Sequence, residues 1–278
     1  MLTDHNLGPS SLIPPFAGSL PGTLRLAGEV ALLRFHALTR ETYSTERFLY
    51  DSPDKIAAVS NTIRVASSNQ LFCESNSPEL LRYSSEHGLK LANSADTNRA
   101  IDLIRAALLE VIEPYPFLRT AVSELVWRCH IVVAKDDGFD VSFSDPAIPF
   151  SIFVSAPARN DRTSILRVAE NLIHETMHLQ LTLFEGLCPL VDTASTWSMY
   201  SPWKQQERPA QGILHGLYVF FVLRWMWGQI SQTTANRIDR DFALRRISEI
   251  DEEVSAVYNF VASPALTEAG KHFLQRLF

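Results

Sequence analysis

The sequence His174-Glu175-Thr176-Met177-His178 places two imidazoles four residues apart, with a carboxylate between them. If this segment is helical, the two histidines lie on one face with their Cβ atoms about 5–6 Å apart, so that both can bind one metal ion. Neutral imidazole is a ligand for zinc, copper, iron and nickel. In zinc peptidases with this motif, the glutamate is the general base that acts on metal-bound water. The five residues therefore predict a metal site in which Glu175 is the catalytic candidate.

A metal site needs a third protein ligand, and the sequence leaves two candidates for it. The extended pattern H-E-x-x-H-x-x-G-x-x-H is not present, because leucine and phenylalanine stand at its last two positions. Glu185 shares a helix face with His174 but is roughly 16 Å further along the axis, too far to bind the same ion. His215, on the next predicted helix, and Glu207, in the preceding connection, both remain open.

A second segment with chemical potential is Tyr200-Ser201-Pro202-Trp203-Lys204-Gln205-Gln206-Glu207-Arg208-Pro209. The guanidinium of Arg208 offers two parallel donors to a carboxylate ligand. Equally, Arg208 can form a solvated ion pair at the surface. The aromatic residues Trp197, Tyr200 and Trp203 pack inside this connection or line a peptide groove beside the metal site.

Three motifs together resemble a known family. The sequence from about residue 169 to residue 221 contains A-E-N-L-I-H-E-T-M-H-L-Q-L, then Y-S-P-W-K-Q-Q-E-R-P, then G-I-L-H-G-L-Y-V-F-F. It resembles the HExxH-motif proteins encoded beside ribosomal peptide natural-product genes, some of which are α-ketoglutarate-dependent HExxH-type peptide β-hydroxylases. The strand region S-F-S-D-P-A-I-P-F-S-I-F-V-S matches more loosely, and the first 110 residues carry little that matches.

The resemblance implies iron rather than zinc, and oxidation rather than hydrolysis. Fe(II) is expected to bind His174, His178 and a downstream residue that maps best onto His215, with α-ketoglutarate and O2 as co-substrates. The partner is a precursor peptide, which is hydroxylated at a side-chain Cβ. Whether Glu175 ligates the iron or acts from outside the ligand set is open.

The resemblance also implies which residues bind α-ketoglutarate. Arg208 is the expected partner of its far carboxylate, with Lys204 and Tyr200 as further binding candidates. Lys204 stands where the family pattern has arginine. Arg208 is therefore the better anchor for the co-substrate.

Two other functions compete with the hydroxylase. The first is a zinc metallopeptidase with Glu175 as general base and Glu207 or His215 as third ligand. The second is a non-catalytic, metal-stabilised helical module that binds a peptide. A zinc metallopeptidase would be expected to have a recognisable signature for its third ligand, and this chain has none. A non-catalytic module would be expected to have lost a residue of the HExxH motif, and this chain retains all of them.

Composition limits the remaining classes of function. Of the 278 residues, 46% are hydrophobic, which is ample for a core. The 31 acidic and 25 basic side chains leave a formal charge of −6, so the composition does not indicate a basic surface for binding nucleic acid. The most apolar stretch, residues 217–223, is too short to cross a membrane, and no signal-peptide pattern is evident. Three cysteines without metal-binding spacing favour a reducing, cytoplasmic location.

Periodicity predicts the elements that position these residues. Helical patterns cover residues 23–38, 52–66, 79–92, 98–112, 163–187, 211–229, 234–262 and 266–277. Strand patterns cover 123–134, 141–143 and 150–154, with a turn signal at 136–138. These patterns predict a mainly α chain with a small antiparallel β unit (α+β), and the HExxH motif on a core helix. The expected division is an N-terminal helical region, 1–120, and a β unit plus metal-binding helical region, 121–278, which can form one continuous domain.

Overall fold

The computed structural model describes residues 61–65, 69–74, 78–134, 141–145 and 150–277. These residues are mostly helical with a small sheet, which confirms the prediction of a mainly α chain with a small β part. The helix predicted over 23–38 and the turn predicted at 136–138 lie outside the described residues. The chain divides into two compact units between Leu183 and Phe184.

The first unit contains the sheet and the helices that connect its strands. Its elements are β1 (Asn61–Val65), β2 (Asn69–Glu74), α1 (Pro78–Glu86), α2 (Ser94–Ala106), α3 (Pro116–Leu125), β3 (Arg128–Val132), β4 (Ser142–Phe143) and β5 (Ser151–Ser155), followed by α4 (Arg162–Leu187), which contains the division point. A π-helical segment, Ala107–Ile112, continues α2.

The sheet is mixed, so the prediction of an antiparallel β unit was wrong. Its strand order is β1-β2-β3-β5-β4, in which β3 pairs parallel with both β2 and β5, while the β1–β2 and β4–β5 pairs are antiparallel. Parallel neighbours need a long crossover connection. The chain between β2 and β3 supplies one, because it contains α1, α2 and α3.

The boundaries of several predicted elements also differ from the structure; the helix predicted over 79–92, for example, ends at Glu86. Residues 61–65 form β1 rather than the end of a helix, because the sequence N-T-I-R-V is rich in β-branched side chains that favour an extended backbone. The strand predicted from residue 123 begins only at Arg128, because α3 continues to Leu125.

Helix α4 has a defined start and a buried face. Asp161 precedes its first residue, and its carboxylate accepts hydrogen bonds from the backbone N–H of Ser164 at 2.8 Å and from its hydroxyl at 2.9 Å. This is an N-terminal cap, which satisfies a backbone donor that the helix leaves open. Leu172 and Met177 are fully buried. The helix therefore has a fixed start and a fixed rotation about its axis.

The second unit is a helical assembly with a short hairpin. Its elements after the end of α4 are β6 (Ser198–Ser201), β7 (Gln206–Pro209), α5 (Ala210–Thr233), α6 (Arg237–Ala256), a 3-10 segment (Tyr258–Ala262) and α7 (Glu268–Leu277). The connection between the predicted helices 163–187 and 211–229 thus contains an ordered hairpin, β6–β7. Helix α5 packs on α6, where Trp227 meets Phe242 with ring centroids 5.0 Å apart.

Two further properties bear on the class of protein. Within the described ranges, no helix is both long and apolar enough to cross a membrane. Cys73 and Cys129 are buried register partners on β2 and β3, and both thiols are free, as is that of Cys188. The cytoplasmic location stays a prediction.

Candidate metal-binding and ligand-binding residues

The histidine pair lies in the middle of α4, in the first unit. The Nε2 atoms of His174 and His178 are 3.1 Å apart, and the two rings meet edge to face with their centroids 4.8 Å apart. Both side chains are half-buried, whereas their neighbours Ile173 and Met177 have no exposed surface. The pair is therefore more accessible than the residues beside it on α4.

The 3.1 Å separation fits two adjacent ligand positions on one metal ion. With metal–nitrogen bonds of about 2.0–2.1 Å, two nitrogens at this separation subtend about 95–100° at the ion. That angle lies between those of octahedral and tetrahedral coordination. The pair therefore fits either a six-coordinate iron or a four-coordinate zinc.

Glu175 is the buried ionisable residue of the motif. It is 2% exposed, and its Oε1 lies 3.9 Å from Nε2 of His174. A carboxylate at this distance is within reach of a molecule bound beside that nitrogen, directly or through one water. The geometry therefore suits an acid–base or orienting role for Glu175.

His215 lies in the second unit, on the second turn of α5, and its partner is Glu185. Nε2 of His215 is 2.7 Å from Oε2 of Glu185, and the side-chain amide of Gln211 donates to the same oxygen at 3.1 Å. The side chains of His215 and Glu185 are only 13% and 11% exposed. One carboxylate oxygen thus connects two residues one helical turn apart and holds the imidazole in place.

The β6–β7 hairpin places the remaining predicted residues on opposite faces. Met199 pairs with Arg208 and Tyr200 with Glu207, and successive side chains on a strand point to opposite sides. Tyr200 is 55% exposed and shares its face with Glu207, whose carboxylate accepts a hydrogen bond from Ser198 at 3.1 Å. The structure therefore does not bring Tyr200 and Arg208 together. Lys204, in the turn, is exposed.

Two glycines on α5 provide the surface on which the hairpin lies. A Cβ atom at Gly216 would lie 2.4 Å from the indole of Trp203, and one at Gly212 would lie 3.0 Å from Nε of Arg208. Trp203 also stacks on Phe220, with ring centroids 5.1 Å apart and planes inclined by 8°. The sequences S-P-W, R-P and G-x-x-H-G are therefore parts of one packed arrangement.

The three predicted aromatics do not form one cluster. Trp203 packs on Phe220, Trp197 packs against Phe260 with ring centroids 5.4 Å apart, and Tyr200 is largely exposed. A continuous aromatic groove floor is therefore not formed by these residues.

The pairing of Glu185 with His215 and the role of the two glycines were not predicted from the sequence. Glu185 was considered only as a partner of His174, on the same helix, and not of a residue on another helix. The spacing Gly212-x-x-x-Gly216 was a signal for close approach, because it leaves one helix face without side chains. Within the described ranges, no group of three or more His, Cys, Asp or Glu side chains is arranged to hold a metal ion.

Neither the models of known protein families nor the curated proteins contain a match to this chain.

Proposed function

We propose that this chain is an Fe(II)- and α-ketoglutarate-dependent oxygenase that hydroxylates a side-chain Cβ of a ribosomally made precursor peptide. The observation that carries the proposal is the 3.1 Å separation of the Nε2 atoms of His174 and His178. Two nitrogens at this distance are close enough for one ion to bind both. The resemblance of the three motifs to the HExxH-type peptide β-hydroxylases adds the identity of the metal and the co-substrate.

In this proposal His174 and His178 hold the iron, and the family resemblance assigns the third ligand position to His215. The hydrogen bond between Nε2 of His215 and Glu185 determines which ring nitrogen of His215 is available to bind the metal. When Nε2 carries the proton, the lone pair is on Nδ1. A carboxylate that holds the second nitrogen of a ligating histidine is a common way to orient the ring and increase its basicity.

The iron, when bound with α-ketoglutarate, supplies the oxidant. The overall reaction converts the peptide C–H, α-ketoglutarate and O2 into the peptide C–OH, succinate and CO2. The protein's own contribution is to bind and orient the reactants. Arg208 offers a guanidinium to the far carboxylate of the co-substrate, and in the described part of the chain no carboxylate pairs with it.

Glu175 contributes a buried carboxylate beside His174. In a hydroxylase it orients a neighbouring group by accepting a hydrogen bond and does not need to take up a proton. A precise position matters more for this role than basicity. Glu175→Gln is therefore expected to preserve metal binding.

A zinc metallopeptidase is the second candidate, and the position of Glu175 is the observation that favours it. A carboxylate 3.9 Å from Nε2 of a histidine ligand is near enough to accept a proton from metal-bound water. In this case Glu175→Gln should abolish peptide cleavage.

The experiment that tests the proposed function is anaerobic reconstitution of the full chain with Fe(II), followed by addition of α-ketoglutarate, O2 and the precursor peptide encoded beside it. Mass spectrometry of the peptide should show the gain of one oxygen atom, with an equivalent amount of succinate formed. His174→Ala is the inactive control.

The alternative outcomes are distinct. Cleavage of the peptide by the zinc-loaded chain, lost in Glu175→Gln, would replace the hydroxylase with the peptidase. Peptide binding without any change in its mass, with either metal, would support the non-catalytic module.

A further inference from the structure

The indole N–H of Trp203 is enclosed, yet it has no acceptor. Its Nε1 atom has essentially no contact with solvent, and in the part of the chain that the structure describes no acceptor is within hydrogen-bond distance. Indole nitrogen can only donate. A buried donor without a partner is unfavourable and calls for an explanation, of which an absent ligand is one.

The ring that carries this donor is held firmly. It lies flat on Phe220 and against the bare backbone of Gly216, where a Cβ atom would be only 2.4 Å away. The stacking on Phe220 and the close approach of the six-membered ring to Gly216 restrict the ring plane, so the direction of the N–H is restricted as well. The donor is therefore oriented before any ligand binds.

Arg208 occupies the preceding turn of the same helix face. Its side chain lies over Gly212, which is four residues before Gly216. The two glycines are therefore about 6 Å apart along the axis of α5. The carboxylate of Glu185, at the end of α4, already accepts from Gln211 and interacts with His215 through one oxygen. The Arg208 side chain and the Trp203 ring thus lie one helical turn apart along the face of α5 that carries the two glycines.

We infer that Trp203 Nε1 and the guanidinium of Arg208 form a binding site for a carboxylate, in which the indole N–H is a second donor to the group that Arg208 attracts. The ligand class is a small dicarboxylate. Where that dicarboxylate is α-ketoglutarate, the inference rests on the proposed function and assigns its far carboxylate to Arg208 and Trp203 together.

The site distinguishes Trp203 from the other residues of the hairpin. Tyr200 lies on the opposite face, and Lys204 is exposed in the turn. Trp197 packs in the same segment on Phe260, but its nitrogen is not among the enclosed atoms without partners. Trp197→Phe is therefore the matched control for Trp203→Phe.

The test measures the affinity of the full chain for two acids by anaerobic titration calorimetry, with redox-silent Mn(II) in place of iron. α-Ketoglutarate carries the far carboxylate, and 2-oxovalerate is the same keto acid without it. Wild type should prefer α-ketoglutarate by tenfold or more. Trp203→Phe should weaken α-ketoglutarate binding roughly tenfold, as expected for a hydrogen bond to a charged group, and leave 2-oxovalerate unchanged. Arg208→Gln should reduce the preference further, and Trp197→Phe should change neither affinity.

A second replacement separates the N–H from the ring. Benzothienylalanine at position 203 keeps a bicyclic aromatic ring of the same shape but has sulfur in place of the N–H. It should reproduce the loss seen in Trp203→Phe. The inference is overturned if either replacement leaves α-ketoglutarate affinity unchanged, or weakens both acids equally, since an equal loss means that the ring only supports the fold.

Failure of the proposed function gives a different result. If wild type shows no preference for α-ketoglutarate over 2-oxovalerate, the co-substrate assignment fails, and glutarate becomes the probe. Glutarate binding that is lost in Trp203→Phe and kept in Trp197→Phe supports the carboxylate site alone. No glutarate binding in wild type overturns the site as well.

Discussion

The histidine pair on α4 and the pair Trp203–Arg208 that packs on α5 are built in opposite ways. His174 and His178 converge because they are one turn apart in a single helix, and their Nε2 atoms are 3.1 Å apart. Trp203 and Arg208 come from a hairpin and reach α5 only because two glycines let them approach its backbone. The first arrangement is set by local backbone geometry and the second by tertiary packing. Mutations should affect the two regions through different properties.

The largest effect is expected at the locally built pair. His174→Ala or His178→Ala removes a direct ligand, so the affinity for Fe(II) or Mn(II) should fall by at least about 100-fold, more than for loss of an outer partner. Anaerobic titration with each metal measures this. His272→Ala, an exposed histidine on α7, is the control and should leave metal affinity unchanged. Unaltered affinity in both motif variants would remove the pair from the metal site.

Adding one methyl group at the contact between α5 and Trp203 should lower the stability of the protein. Gly216→Ala forces a Cβ atom to within 2.4 Å of the Trp203 ring, so we expect the free energy of unfolding to fall by about 1–3 kcal/mol. Gly228→Ala is in the same helix with nothing within 4 Å of the new atom, and it should stabilise the protein by about 0.5–1 kcal/mol. Urea denaturation of the two variants gives the comparison. If both variants changed the free energy of unfolding in the same direction, the packing of Trp203 on Gly216 would not contribute to stability.

The same difference between local geometry and tertiary packing decides which features could be predicted from the sequence. The periodicity over 163–187 located α4 almost to the residue, because the apolar positions and the Cys188-Pro189 stop act locally. The partner of His215 could not be predicted, because Glu185 and His215 are thirty residues apart and only the packing of two helices joins them.

The direction of the strands in the sheet could not be predicted from the sequence either. The strands of the β unit were recognised from their composition, but composition contains no information on strand direction. The parallel pairing of β3 with β2 and β5 follows from the connections between the strands. In the same way, residues 61–65 needed a partner strand before their β-branched side chains outweighed an apparent helical pattern.

A smaller effect should come from the link between Glu185 and His215. Each single alanine variant removes a hydrogen bond between side chains that are 11% and 13% exposed. A double-mutant cycle should give a coupling free energy of about 1–2 kcal/mol, since one partner is a carboxylate. Thermal or urea denaturation of the four proteins measures it. A coupling near zero would mean that His215 is held by other contacts.

The smallest effect concerns the local cap of α4. The backbone N–H of Ser164, and then its hydroxyl, lower the pKa of Asp161 by hydrogen bonding to the carboxylate. The stabilisation is therefore complete above the unfolded pKa, about 3.9, and is lost as the pH falls through the folded pKa. Asp161→Ala should lower the free energy of unfolding by about 1 kcal/mol at pH 7.

Urea denaturation at pH 7 and at progressively lower pH tests this. The difference between wild type and Asp161→Ala should shrink as the pH falls below about 4. Asp161→Asn keeps a capping oxygen without a charge that titrates, so its stability relative to Asp161→Ala should not change with pH. A constant difference between wild type and Asp161→Ala at every pH would contradict the role of the charge.

The most direct test of the central claim is whether iron and α-ketoglutarate meet at the histidine pair. A keto acid chelated to Fe(II) gives a visible metal-to-ligand charge-transfer band, which anaerobic absorption spectroscopy detects without any peptide. Wild type with Fe(II) and α-ketoglutarate should show this band, and His174→Ala should not. Iron bound to wild type without a band on adding α-ketoglutarate, or an equal band in His174→Ala, would contradict the proposed oxygenase.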